Sequence, residues 1–401
     1  MKPVTGVALA LFFTVVQFYT SLAALSPTPP VGYLFAGRAV AGSMVALLAL
    51  SACVCAVRLA REHAVLPGPS RALLTAWIGS AALASLLGID PLSGLQVVGI
   101  MLLSAAFHLA LVRYYAEPGV ARTLFVAYLW AGTFALAAAI VMLLAHRPAS
   151  LWVLNNGRAA GVFVTANQCA AFAIVFGFVA FGVALSSAGR LRLLGAAGTS
   201  AALVALVATF SQAGALGAAA GAVFLSFAVG ARRVALGLGL ACLLAAIAIG
   251  SRPVHGHDPS DAFDRLRTWR SGLRVAELFP LTGAGPMAYW RVYPAIRPPN
   301  GDLPGTFGAL HPHDAYLSLA GETGLIGLAA FAYGWLRVAR SAASSLASRL
   351  PRERLLALGI AAGLVAVLVQ GIFDTVGVVQ MSFVWIPYTG LLLAAAGRVR
   401  I

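Results

Sequence analysis

The chain of 401 residues is 61% hydrophobic and only 10% charged, with a mean hydropathy of +0.91, whereas soluble domains carry about 25% charged residues; a soluble enzyme is excluded and an integral membrane protein is indicated. The formal charge of +15 is no argument for nucleic acid, because between membrane spans the placement of cations says more than their sum. No Walker loop, dinucleotide fingerprint, disulfide framework or metal-spaced histidine cluster occurs in the sequence, so neither ATP nor a metal or other cofactor is expected.

Apolar runs near the ~20 residues that cross a bilayer fall at 4–25, 38–57, 72–88, 93–112, 121–145, 166–186, 193–210, 213–230, 233–250, 314–336, 355–373 and 377–397. The predicted fold is an all-α polytopic membrane protein of about twelve transmembrane helices. Nine lie in 1–250 and three in 314–401, with one long, partly helical outer loop at 251–313 expected to carry the active-site residues. No small-residue cleavage site follows the first run, which is read as a retained helix. Lys2, Arg58, Arg61, Arg71, Arg113, Arg122, Arg190, Arg192, Arg232, Arg233, the arginines from Arg337 to Arg354, Arg398 and Arg400 all fall on one side. The positive-inside rule makes that side, with both termini, cytoplasmic. Cys53, Cys55, Cys169 and Cys242 lie inside predicted spans; neighbours two apart point about 200° apart on a helix, so Cys53 and Cys55 cannot pinch a metal and read as packing residues.

The long loop is too long for a simple connection and too aromatic for a disordered one. Its part from Ser260 to Phe279 reads as a helix, opened by acids and serines and closed by Pro280. At 100° per residue Arg267, Arg270 and Arg274 share one face, solvated or suited to anionic headgroups. Arg265 falls instead with Trp269, Gly272, Leu273 and Ala276. That stripe should pack inward, so its guanidinium meets an acid of the protein or an anionic ligand. In "PLTGAG" at 280–285, Gly283 and Gly285 either permit a close backbone approach or merely turn the chain. Arg297, in the proline-rich return, is surface decoration or a ligand to the same anion. His255 and His257 have no partner pattern and read as solvated. The chain then re-enters the membrane through "LHPHDAYLSLAGETGLIG" at 310–327.

Together these pieces resemble the O-antigen ligase and polymerase superfamily of bacterial envelope glycosyltransferases. The carriers are Arg265 four residues before Trp269, "PLTGAG", His313 with Asp314, "ETGLIG" at 322–327, and "RAAGVFVTAN" with Arg158, Gly161, Phe163 and Asn167. Each is weak alone, but their order and their placement on one face are specific. Where many members have Ser-Arg-Gly at the outer start of a later helix this chain has "SQAG", so Gln212 stands where a cation is common; Arg158 or Arg38 is the expected substitute. Asp314 stands for a frequent Asn.

The resemblance implies transfer of a glycan from undecaprenyl pyrophosphate to an acceptor hydroxyl in the bacterial inner membrane, with a periplasmic active site and no nucleotide sugar, metal or nucleic acid. The residue types suit that chemistry. A departing pyrophosphate gains charge that guanidinium groups hold well, at about 1.5–3 kcal/mol per charged hydrogen bond, which favours Arg265 and Arg158. The attacking hydroxyl must lose a proton, and an imidazole with an ordinary pKa of about 6.5 can accept it. His313 is the candidate and His311 its rival, with a turn or capping role open for either. Glu322 is expected to have a structural partner, an arginine or hydroxyl on a neighbouring helix, although an intramembrane carboxylate can be functional. Glycines 321, 324 and 327 recur as in close helix packing. Asn167, Tyr316 and Asp374, the last in a short outer turn, are weaker site candidates. The expected partners are the lipid-linked glycan, the lipid A-core glycolipid and membrane lipids. A ligase is the first reading and a polymerase of the same superfamily the second. A secondary transporter fits less well, since polar residues gather at one edge and not at the midplane.

Overall fold

The computed structural model describes residues 4–12, 37–62, 67–147, 149, 155–163, 165–234, 237, 260–296, 311–348, 351–373 and 378–397, with the side chains of 37–45, 260–265, 351–353 and 378–384 outside the description. The described residues are all-helical, with no strand among them. In chain order the helices are α1 (4–12), then α2 (Gly37–Arg61), α3 (Gly68–Leu87), α4 (Pro91–Tyr114), α5 (Val120–Ala145), α6 (Ala166–Ser186), α7 (Gly189–Ala208) and α8 (Gln212–Ala228). The loop region supplies α9 (Ser260–Leu278) and α10 (Tyr289–Ile296), and the chain closes with α11 (Ala315–Ala347), α12 (Pro351–Gln370) and α13 (Val378–Gly397).

Helices α3 to α7 and α11 are long and apolar enough to cross a membrane, and the apolar parts of α8, α12 and α13 are shorter. The protein is a multi-pass membrane protein. The run expected at 233–250, with Cys242, lies almost wholly outside the described residues. Cys53 is exposed and Cys55 buried on α2, as their spacing requires.

Small residues bring the helices together. Gly359 and Gly363 of α12 press on Phe178 and Val175 of α6, while Gly217 and Gly221 of α8 meet the Ala366 and Ala362 carbonyls on another side of α12. In α3, α11 and α13 the aromatic rings of Trp77, Phe331 and Trp385 pack at centroid distances of 5.2 and 5.0 Å. Two polar groups staple the bundle. His108 on α4 bonds the Ser70 hydroxyl at 2.8 Å and the Ile386 carbonyl at 2.9 Å. Arg58 on α2 bonds Thr5 of α1 at 2.6 Å and Glu117 of the α4–α5 turn at 2.5 Å. Leaving such buried groups unpaired would cost more than their pairing contributes, so they set which helices adjoin.

The ends of the bundle differ. On the end that the cation pattern assigns to the outer loops, Asp90, Thr165, Ser211 and Asp314 cap α4, α6, α8 and α11 with side-chain oxygens. At the opposite end α3, α5 and α7 start without a side-chain cap. A cap fixes where a helix begins, and the candidate site is built on these four fixed starts.

Candidate functional site

Helix α9 lies on the leading turns of α11. Gly272 faces Pro312 so closely that a Cβ would stand 2.7 Å from its ring, and Gly321 faces Val275. Thr268, Ser271 and Val275 are buried, while Arg267, Arg270 and Arg274 are exposed as expected. Arg274 pairs with Glu277 at 3.0 Å. Leu273 departs from the expected inward stripe, being 51% exposed, so among the described residues the buried stripe is narrower than the apolar pattern predicts. Arg265 sits on α9 one turn ahead of Trp269 and two turns ahead of Gly272. Its side chain lies outside the described residues.

Residues 280–285 are not a simple turn. Gly283 and Gly285 have φ of +73° and +105°, and the segment inserts into a break in α11. That break is at Gly324, whose φ of 66° and ψ of −171° interrupt the helix. Backbone hydrogen bonds run from Ala284 N to Gly321 O (2.8 Å), Gly285 N to Glu322 O (3.0 Å), Leu325 N to Pro280 O (2.9 Å) and Ile326 N to Leu281 O (3.2 Å). The groups that a broken helix leaves unpaired thus find partners in the loop. The glycine triplet therefore divides its work: Gly321 packs against α9, whereas Gly324 opens the helix and a Cβ on it would stand 2.1 Å from the Leu281 carbonyl. The expectation that all three glycines serve helix packing is corrected accordingly.

Glu322 stands in the same interlock, 6% exposed. Its carboxylate accepts the backbone N–H groups of Met287 and Tyr289, at the start of α10. Its partners are therefore amides of the loop and not the expected arginine or hydroxyl of a neighbouring helix. Behind it Val275, Ala284, Ala288, Tyr289, Val292 and Tyr293 form a small apolar core of the loop. The α3–α4 turn completes the docking: Ile89 N donates to Ala284 O at 2.8 Å, and Arg291 pairs with Asp90 at 2.5 Å. The Asp90 carboxyl is held below its ordinary range, first by the Ser93 hydroxyl and, against its burial, also by Arg291.

His313 precedes the cap of α11. It is half-buried, with a left-handed φ of 52°. Its carbonyl accepts the Trp269 indole N–H at 3.3 Å, and its ring lies 4.4 Å from that of His311 in an edge-to-face arrangement. The Asp314 carboxylate accepts Tyr316 N at 2.8 Å and Leu317 N at 2.7 Å. Asp314 is thus the helix cap. Ala315 N donates to Gly371 O at 2.7 Å, and the Tyr316 hydroxyl to Leu368 O at 2.7 Å. The end of α12 is therefore the second wall behind His313, and Phe373 there lies 6.2 Å from Trp269.

The same end of α12 reaches Arg158. Gln370, 1% exposed, donates through Nε2 to Asn167 O at 3.2 Å. Asn167 Oδ1 accepts Arg158 Nη2 at 2.9 Å, and Arg158 Nε donates to Thr209 O at 2.7 Å. Arg158 thus fastens its own loop to α6 and to the end of α7. Sequence reasoning missed Gln370, Phe373 and Asp90. A glutamine near the end of an apolar run is the signal that was there for the first; nothing local marks the others.

The structure brings Arg158, Asn167, His311, His313, Asp314 and Tyr316 to one end of the bundle around α12, with Glu322 in the adjoining interlock. Gln212, exposed, begins α8 beside its cap Ser211. The Arg38 side chain, Arg297 and Asp374 lie outside the described residues, as do His255 and His257. Residues 158–332 match the family profile described as O-antigen ligase. The match supports the O-antigen ligase/polymerase superfamily over that segment. The matched segment begins at Arg158 and ends beyond the α11 break, so it holds the whole interlock with both histidines. The end of α12 and the Asp90 turn, which pack against it, lie outside the match. No curated protein matches the chain.

Proposed function

We propose that the protein transfers an O-antigen glycan from undecaprenyl pyrophosphate to the lipid A-core oligosaccharide, from a site on the periplasmic side of the bacterial inner membrane. The observation that carries this reading is the contact, at one end of the bundle, of the His313 turn with Trp269 of α9, the helix whose sequence holds Arg265, within the segment matched to the O-antigen ligase family. In this reading His313 takes the proton of the acceptor hydroxyl, whose oxygen bonds to the anomeric carbon of the donor. The bond from that carbon to the pyrophosphate oxygen breaks, and undecaprenyl pyrophosphate leaves with the electron pair. Arg265 bonds the pyrophosphate oxygens, where charge grows as the bond breaks and preorganised donors lower the barrier.

Arg158 is the second cation of the proposal, its guanidinium already oriented by Thr209 and Asn167. Arg38, Gln212, Arg297 and Asp374 are further candidates to line the donor. A site at one end of the helices suits a substrate whose lipid lies in the bilayer and whose sugars extend beyond it, which a midplane transport site would not.

The test is to incubate the purified protein with lipid-linked glycan and lipid A-core, with a chelator present and ATP absent. A larger lipid A-linked glycolipid is the expected product. Longer chains on undecaprenyl pyrophosphate would make the protein a polymerase of the superfamily, and activity that returns only with magnesium or manganese would overturn the arginine-held leaving group.

A further inference from the structure

We infer that Trp269 is a positioning residue for His313, acting through the peptide that joins His313 to Asp314; the inference rests on the proposed role of His313 as base. The oxygen of that peptide accepts the Trp269 indole N–H at 3.3 Å. The chain just after it is fixed by the Asp314 cap and by Ala315 N on the Gly371 carbonyl at 2.7 Å. Just before it, His313 N–H faces His311 Nδ1 at 3.4 Å, at the long limit for a hydrogen bond.

His313 itself occupies the left-handed region at φ 52°. That region is small for a residue with a Cβ, and its alternative is the extended region. Without the Trp269 bond the 313–314 peptide is free to turn about ψ of His313, and φ can then relax from 52° toward the extended region by rotation about N–Cα; that second rotation swings the Cα–Cβ bond. The imidazole would then leave the direction it now has beside His311, at 4.4 Å between rings. Trp269 can act as a fixed post because it is itself held: it is half-buried, its ring lies 6.2 Å from Phe373 at the end of α12, and Gly272 one turn later clamps α9 against Pro312. An indole N–H donates but cannot accept, so its one polar bond is directed at a carbonyl.

The decisive variant replaces Trp269 by β-(3-benzothienyl)alanine, which keeps the bicyclic shape and substitutes sulfur for the N–H. Two readouts are taken on the full-length protein: kcat and KM for both substrates, and the rate at which diethylpyrocarbonate modifies His313 without substrate, followed by mass spectrometry. A displaced base costs turnover more than binding, so kcat should fall about tenfold with KM unchanged, and the modification rate of His313 should change. An analogue with wild-type kcat, or a lower kcat with an unaltered His313 modification rate, would overturn the inference. His313→Asn is measured alongside: full transfer there would bring down the role of His313 as base, whereas loss there with an unaffected analogue would bring down the positioning role alone.

Discussion

Replacing Gly283 by alanine should unlock the loop from the broken helix, and its cost can be worked from the structure. The added Cβ would stand 2.2 Å from Glu322 C and 2.4 Å from Thr323 N, both backbone atoms that cannot swing aside. The two segments must part by about 1 Å to reach ordinary contact. The hydrogen bonds between them, now 2.8 to 3.2 Å, would then exceed useful length. Four bonds at about 0.5–1.5 kcal/mol net each, with about 1–2 kcal/mol for a left-handed alanine, give a loss on the order of 3–8 kcal/mol. Folded domains hold only about 5–15 kcal/mol in all. Gly230 is the control, since its φ is +84° and a Cβ added there would meet nothing within 4 Å, so Gly230→Ala carries only the conformational strain. Thermal unfolding in detergent micelles, with transfer rate measured on the same preparations, separates the two. Gly283→Ala should melt far below Gly230→Ala and lose transfer. Equal melting temperatures with transfer retained in both would refute the reasoning that the interlock supports the site.

His313→Asn should abolish transfer while leaving the melting temperature near that of the wild type, because Asn tolerates the left-handed φ of 52°; His311→Asn should retain much of the rate, and the reverse result in a glycan-transfer assay would reassign the base. Arg265→Lys should lose most activity although charge is kept, since an ammonium cannot reproduce the planar fork, whereas single Lys replacements of the exposed Arg267, Arg270 and Arg274 should leave initial rates within about twofold, as expected where charge rather than geometry acts. Acid stability should depend on Asp90, whose carboxyl is held below its ordinary value by Ser93 and Arg291: a lowered folded-state pKa contributes stability above the unfolded value that is lost as pH falls through the folded one. The acid limb of the stability curve should therefore be shallower in Asp90→Asn, and identical limbs would remove Asp90 from the account.

The sequence by itself determined what depends on local pattern. Hydropathy marked the spans of α3 to α7 and α11, because a bilayer needs about twenty apolar residues whatever their neighbours, and the 100° step placed Arg267, Arg270 and Arg274 on an exposed face. Tertiary structure decided the rest, wherever a group's partner lies far along the chain. Gly321 and Gly324 look alike in the sequence, yet one packs on α9 and the other breaks α11, because the backbone of Leu281 arrives beside the second. Glu322 could have met a cation, but the amides of Met287 and Tyr289 reach it first. Leu273 shares an apolar stripe and still lies exposed, since no described element covers it. Gln370 joins Asn167 to the wall behind His313, a link across two helices that no periodicity records. A repeat in sequence reports which way a side chain points from its own helix; only the packed chain determines what it meets there.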